Sequence, residues 1–118
     1  RTKMQSDDFA TEMSEWQFEF WRVSEEHGFH ESPHDNPYEK AALVHSEISE
    51  AVEELRKGYT NEVYYRDDGK PEGVGIELAD ALIRIFDLAE MLNINLWDCV
   101  VEKHTFNIGR PYMHGKGA

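Results

Sequence analysis

Apolar residues recur at steps of three and four along most of this chain, the period of one helical face. Between Ser6 and His27 the stripe is Phe9, Met13, Trp16, Phe20 and Val23; Ser6 and Asp7 can cap its start and Gly28 is placed to end it. A loop rich in His, Pro and Asp runs from Phe29 to Asp35. Asn36-Pro37-Tyr38-Glu39 then supplies a cap, a first-turn proline and a glutamate at the third position, predicting a second helix from Pro37 to Lys57 with Gly58 at its C′ position. From Tyr59 to about Pro71 the chain is polar, with turn signals at Asp67-Asp68-Gly69 and Lys70-Pro71, and only Val63-Tyr64-Tyr65 reads as a short extended piece. A third helix from near Glu72 to Leu92 is apolar on most of its circumference, through Ile76, Leu78, Leu82, Ile83, Ile85, Phe86, Leu88 and Met91, which predicts burial on most sides. Asn95-Leu96-Trp97-Asp98 opens a fourth helix carrying Val100, Val101 and His104 until Gly109 and Pro111 stop it; residues 112–118 read as a short, mobile, Gly-rich tail. With no internal repeat and no strand alternation, the expected class is all-α, about four helices in a single domain spanning 1–118.

Composition narrows the function. The 118 residues carry 24 acidic against 12 Lys plus Arg, a formal net charge of −12 and a pI near 4.8. Such a chain repels nucleic-acid polymers and anionic membrane surfaces, so neither is an expected partner. No apolar run approaches the roughly 20 residues of a membrane span. The one cysteine, Cys99, cannot form an internal bridge, and its place in a helix expected to be buried makes it a small hydrophobe. These features predict a soluble, reduced, cytoplasmic protein.

The acidic residues are not scattered. At about 100° per residue, Glu54 falls within roughly 20° and Glu50 within roughly 60° of Glu47 on the second helix, at the border of a stripe formed by Val44, Ile48, Ala51, Val52 and Leu55. On the third helix Asp80 and Arg84 flank Glu77 in the same way, among apolar neighbours. Two helices thus each present a carboxylate pair at i and i+3, Glu47/Glu50 and Glu77/Asp80, on faces that also pack. Like charges so placed need a positive partner. Four carboxylates specify a hard cation, Mg²⁺ with Mn²⁺ as the alternative, over zinc. A di-iron centre requires Glu-x-x-His on helices, and the one such spacing, Glu31 to His34, crosses Pro33 in a loop.

The run from Glu47 to Arg56, followed after a polar loop by Lys70 to Asp80, resembles the MazG-like all-α nucleoside triphosphate pyrophosphohydrolases, whose signature is Glu-x-x-Glu, a spacer, then Glu-x-x-Asp. Glu102-Lys103-His104, Asn107 and the stretch from Arg110-Pro111-Tyr112 to His114-Gly115-Lys116 resemble that family's C-terminal pattern. The resemblance implies that Glu47, Glu50, Glu77 and Asp80 ligate Mg²⁺, and that a nucleoside triphosphate is cut between its α and β phosphates to give a monophosphate and pyrophosphate. It also implies that Glu47 or Glu50 takes the proton of the attacking water, and that Asn107 belongs to the substrate site. Further implications are a house-cleaning role in the nucleotide pool and a helical bundle assembled in a homodimer or homotetramer. The alternative is a non-catalytic helical module that oligomerises or binds nucleotide.

Other residues add candidates. Lys103, Arg110 and Lys116 make the C-terminal stretch locally basic, either as a phosphate-contacting patch or as a contact for acids on a neighbouring subunit. Arg84 reads as a counter-ion for the carboxylates rather than a substrate ligand. Trp21, off the main stripe of the first helix, is the candidate for stacking on a base. His27, His30, His34 and His45 lack ligand spacing and read as surface or packing residues.

Overall fold

The computed structural model describes residues 3–33, 35–58 and 61–111. Four α-helices dominate: α1 (Asp7–Glu26), α2 (Pro37–Arg56), α3 (Val74–Met91) and α4 (Leu96–Ile108). Each expected helix is present, within about two residues of its predicted ends. Three begin at the predicted caps: the side chains of Ser6, Asn36 and Asn95 accept from the backbone N–H of Phe9, Glu39 and Asp98. Gly28 (φ 77°) leaves α1 in the left-handed region, as a C-terminal glycine should. The expected extended piece is Tyr64–Tyr65 (β1), which pairs antiparallel with Pro71–Glu72 (β2). Gly73 closes this hairpin at φ 129°, and a Cβ there would stand 2.4 Å from the Glu62 carbonyl oxygen, so glycine is required on both counts. The expected tail, with Lys116, lies outside the described residues.

α3 is central, packed against α2 on one side and α1 on the other. Phe20 of α1 meets Phe86 of α3 with ring centroids 5.8 Å apart, and Phe9 meets Trp97 of α4 at 5.3 Å. Buried Gln17 ties three elements together. Its Nε2 donates to Glu90 Oε1 (3.1 Å) and the Ile94 carbonyl (2.7 Å), while its Oε1 accepts from the Leu96 N–H (3.3 Å).

The α2–α3 seam departs from the expected pattern. The buried residues of α2 are Lys40, Glu47, Ala51 and Glu54, a face centred on Glu47 and turned about 70° from the centre of the apolar stripe. That stripe faces outward: Ile48, Val52 and Leu55 are exposed, as are Leu78, Leu82 and Ile83 of α3, so α3 is less enclosed than its composition predicts. Cys99 is exposed as well, because α4 packs chiefly on α1 and leaves its other faces open; the inert buried thiol expected from sequence is corrected accordingly. The apolar core among the described residues is Ala51, Val74, Ala81, Phe86 and Ala89. The accessible surface, 8768 Å², exceeds the roughly 6,600 Å² expected of a compact chain of this mass. The radius of gyration, 17.0 Å, exceeds the expected value of about 13.5 Å.

Charge pairing carries part of the cohesion that apolar packing does not. Lys40 Nζ lies 2.6 Å from Asp87 Oδ2 on α3 and 3.1 Å from Asp35 Oδ1, the second a charge contact without hydrogen-bond geometry. Replacing Lys40 with Met leaves two carboxylates facing each other at the seam, and should cost about 3–5 kcal/mol in urea unfolding. A loss under 1 kcal/mol would show that the pair does not hold the helices together.

Candidate functional site

Three of the four predicted ligands come together. One carboxylate oxygen each from Glu47, Glu77 and Asp80 lies within 4.8 Å of the others. This is close to the separation of about 4.2 Å or less between oxygens coordinating one ion at about 2.1 Å. Helix periodicity accounts for the grouping: Glu77 and Asp80 are i and i+3 on α3, and Glu47 is the centre of the α2 face turned toward them. Glu50, the fourth candidate, is exposed, yet it bears on Glu77 through hydrogen-bonding contact and charge.

The electrostatics of the cluster are unbalanced. Glu77 is only 5% exposed, and its Oε2 is buried without a hydrogen-bond partner. Burial first, then contact with Glu50 and Glu47 and their charge, pushes its carboxyl up to about 8. Asp80 is also raised, by burial and by the charge of Glu47, with Arg84 opposing. Arg84 Nε donates to Glu47 Oε1 at 2.8 Å. The fully ionised cluster therefore sets four carboxylates against Arg84 and the weaker influence of Lys70, and a proton on Glu77 makes up part of the deficit. Such a site fits a divalent cation: the donors are all oxygen, and one is an orphan that coordination would satisfy.

Nearby, Glu54 holds the hairpin to α2. The Tyr64 hydroxyl donates to both of its oxygens (2.9 Å each) and Lys57 Nζ lies 3.1 Å from Oε1, which lowers the Glu54 pKa.

A cavity of about 280 Å³ opens beside the cluster. Asp80, Ile83, Arg84 and Asp87 of α3 form one wall, Lys40 and Leu43 of α2 another, and Ser24, Phe29, Ser32 and Asp35 complete it. Outside this lining, His30 bridges two carboxylates, with Nδ1 2.5 Å from Glu25 Oε2 and Nε2 3.2 Å from Asp87 Oδ1. Sequence reasoning missed Phe29, Lys40 and Asp87 as site residues. A signal for two of them was present: Lys40 precedes Glu47 by seven residues and Asp87 follows Asp80 by seven, so each lies two turns along the same helical face.

The remaining candidates fall elsewhere. Trp21 does not line this cavity; its ring packs on Phe18 (5.9 Å) and His30 (4.9 Å), while Phe29, 65% exposed, is the aromatic residue at the cavity. Lys103, Asn107 and Arg110 belong to α4 and its C-terminal end and do not line the cavity. Lys103 Nζ and the Arg110 guanidinium both lie over Phe106, at 4.8 and 5.5 Å from its ring centre. His27 and His45 are exposed surface residues, and His34 lies outside the described residues.

Comparison of the chain with protein-family models, curated proteins and solved structures gives no match.

The raised Glu77 pKa fixes a pH dependence. A carboxyl at 4.5 in the unfolded chain and about 8 in the folded one binds more protons when folded, so stability falls as pH rises between those values. The melting temperature of the metal-free protein should drop between pH 5 and 9, and saturating Mg²⁺ should raise it most at the high end. Glu77→Gln should flatten the metal-free profile; a variant retaining the full drop would place its cause outside Glu77.

Proposed function

We propose that the chain is a divalent-cation-dependent nucleoside triphosphate pyrophosphohydrolase of the MazG-like kind. It would release a nucleoside monophosphate and pyrophosphate and cleanse the nucleotide pool of the cytoplasm. The observation that carries this reading is the buried, unpartnered Oε2 of Glu77 within a carboxylate cluster that opens onto a cavity. A purely structural acidic face would be solvated or paired. The paired Glu-x-x-Glu and Glu-x-x-Asp spacing supports the same reading.

In this account Glu47, Glu77 and Asp80 hold Mg²⁺ or Mn²⁺. The cation, when bound, neutralises phosphate oxygens and acidifies a water. Glu50, exposed on α2 one turn from Glu47, would accept that water's proton, with Glu47 as the other candidate base. The cavity takes the nucleoside end of the substrate.

The account includes self-assembly. The outward stripe of Ile48, Val52, Leu55, Leu78 and Leu82, together with the surface excess, is what a subunit of a homodimer or homotetramer presents when viewed alone. Leu82→Glu should convert the assembly to monomer in light-scattering measurements. A wild type that is already monomeric at tens of micromolar would remove this part of the account.

The reaction is tested by assaying pyrophosphate release across the canonical and several modified nucleoside triphosphates, with Mg²⁺ and with EDTA. Metal-dependent release of pyrophosphate with the monophosphate as co-product is expected. Glu47→Gln and Asp80→Asn should each lower kcat/KM by more than about a hundredfold while the helical content persists, because each removes a ligand to the ion. Silence across the panel from folded protein would leave a non-catalytic helical or nucleotide-binding module.

A further inference from the structure

Arg84 is tied to the carboxylate cluster by one atom. Its Nε donates to Glu47 Oε1 at 2.8 Å, while neither Nη amino group makes a hydrogen bond among the described residues. An arginine that only neutralises a carboxylate gains most from the two-pronged arrangement. This chain contains that arrangement elsewhere: Arg22 places Nε 2.9 Å from Glu19 Oε2 and Nη2 2.6 Å from Glu19 Oε1. Arg84 forgoes it. The side chain is 39% exposed and lines the cavity, whereas Glu47 is buried, so its four remaining N–H bonds are available on the cavity side of the pair.

We propose that Arg84 is the anion grip of this site: Nε is anchored on Glu47, and the two Nη amino groups bind a phosphate whose other oxygens meet the cation held by Glu47, Glu77 and Asp80. A polyphosphate approaching three or four carboxylates is repelled unless fixed positive charge stands beside the metal, and a planar guanidinium matches two phosphate oxygens at once. Lys103 and Arg110 do not line the cavity, and both engage the Phe106 ring. Arg84 lies one turn beyond Asp80 on the same face of α3, next to the cluster. Because its anchor is itself a metal ligand, the grip and the cation site share one carboxylate, and cation and phosphate are positioned together. This inference rests on the cation reading of the cluster, and it does not require that the protein hydrolyse a nucleotide.

The test uses the full chain, inorganic pyrophosphate with Mg²⁺ as the probe in calorimetry, and Mn²⁺ alone followed by electron paramagnetic resonance. Wild type should bind pyrophosphate only with the metal present. Arg84→Ala should weaken that binding about tenfold or more and Arg84→Lys by less, while both variants hold Mn²⁺ at least as tightly as wild type, since a neighbouring positive charge has been kept or removed. Equal pyrophosphate affinity in wild type and Arg84→Ala would overturn the proposal, as would a wild type that takes Mn²⁺ but not pyrophosphate. Loss of Mn²⁺ binding in Arg84→Ala would also overturn it, by making Arg84 a support for Glu47 alone. A wild type that binds pyrophosphate through Arg84 yet cleaves no nucleoside triphosphate would uphold the grip and remove the hydrolase reading.

Discussion

The seam between α2 and α3 is charged where helix seams are ordinarily apolar, and everything else in the molecule follows from how that charge is balanced. Lys40 is shared between Asp87 and Asp35, Arg84 meets Glu47, and Tyr64 with Lys57 meets Glu54. Among the described residues two buried carboxylate oxygens lack a hydrogen bond, Asp35 Oδ1, which still faces the Lys40 ammonium, and Glu77 Oε2, which faces other carboxylates and whose pKa is raised by burial and by Glu50 and Glu47. Burying an ionised carboxylate without a partner costs several kcal/mol, so the group takes up a proton instead, or a cation where one is offered. In the proposed reading a proton on Glu77 holds the metal-free site, and a bound Mg²⁺ would take its place.

Orienting the charged face inward sends the apolar stripe outward. An amphipathic helix in a self-sufficient domain does the reverse. Lys40, Glu47 and Glu54 take the inner positions on α2, leaving Ile48, Val52 and Leu55 in solvent. The charged seam and the open apolar surface are two sides of one rotation of α2 about its axis. A partner surface that covers the stripe would stabilise the helix in the orientation that places Glu47 opposite Glu77.

The helices were legible in the sequence because their signals are local: three side-chain caps, a left-handed glycine after α1 and uninterrupted periodicity each act within a few residues. The pairing of Glu77 with Asp80 was legible too, since i, i+3 spacing fixes which side chains share a face of α3. Which face turns inward was not. An apolar stripe read alone argues for burial, and the rotation of α2 is decided by partners 37 and 47 residues away, Arg84 for Glu47 and Asp87 for Lys40. Trp21 lies away from the cavity for a similar reason. Trp21 is engaged by the ring of His30, a residue whose position depends on the turn after Gly28, and no periodicity within α1 reports that contact.

The most direct test of the central claim is the number of protons released when Mg²⁺ or Mn²⁺ enters the metal-free protein, measured by calorimetry at pH 7 in buffers of different ionisation enthalpy. A cation that takes the place of the Glu77 proton should release about one proton per chain at pH 7 and close to none at pH 9, and Glu77→Gln should abolish the release. Binding without proton release at pH 7, or release that persists in Glu77→Gln, would contradict the account.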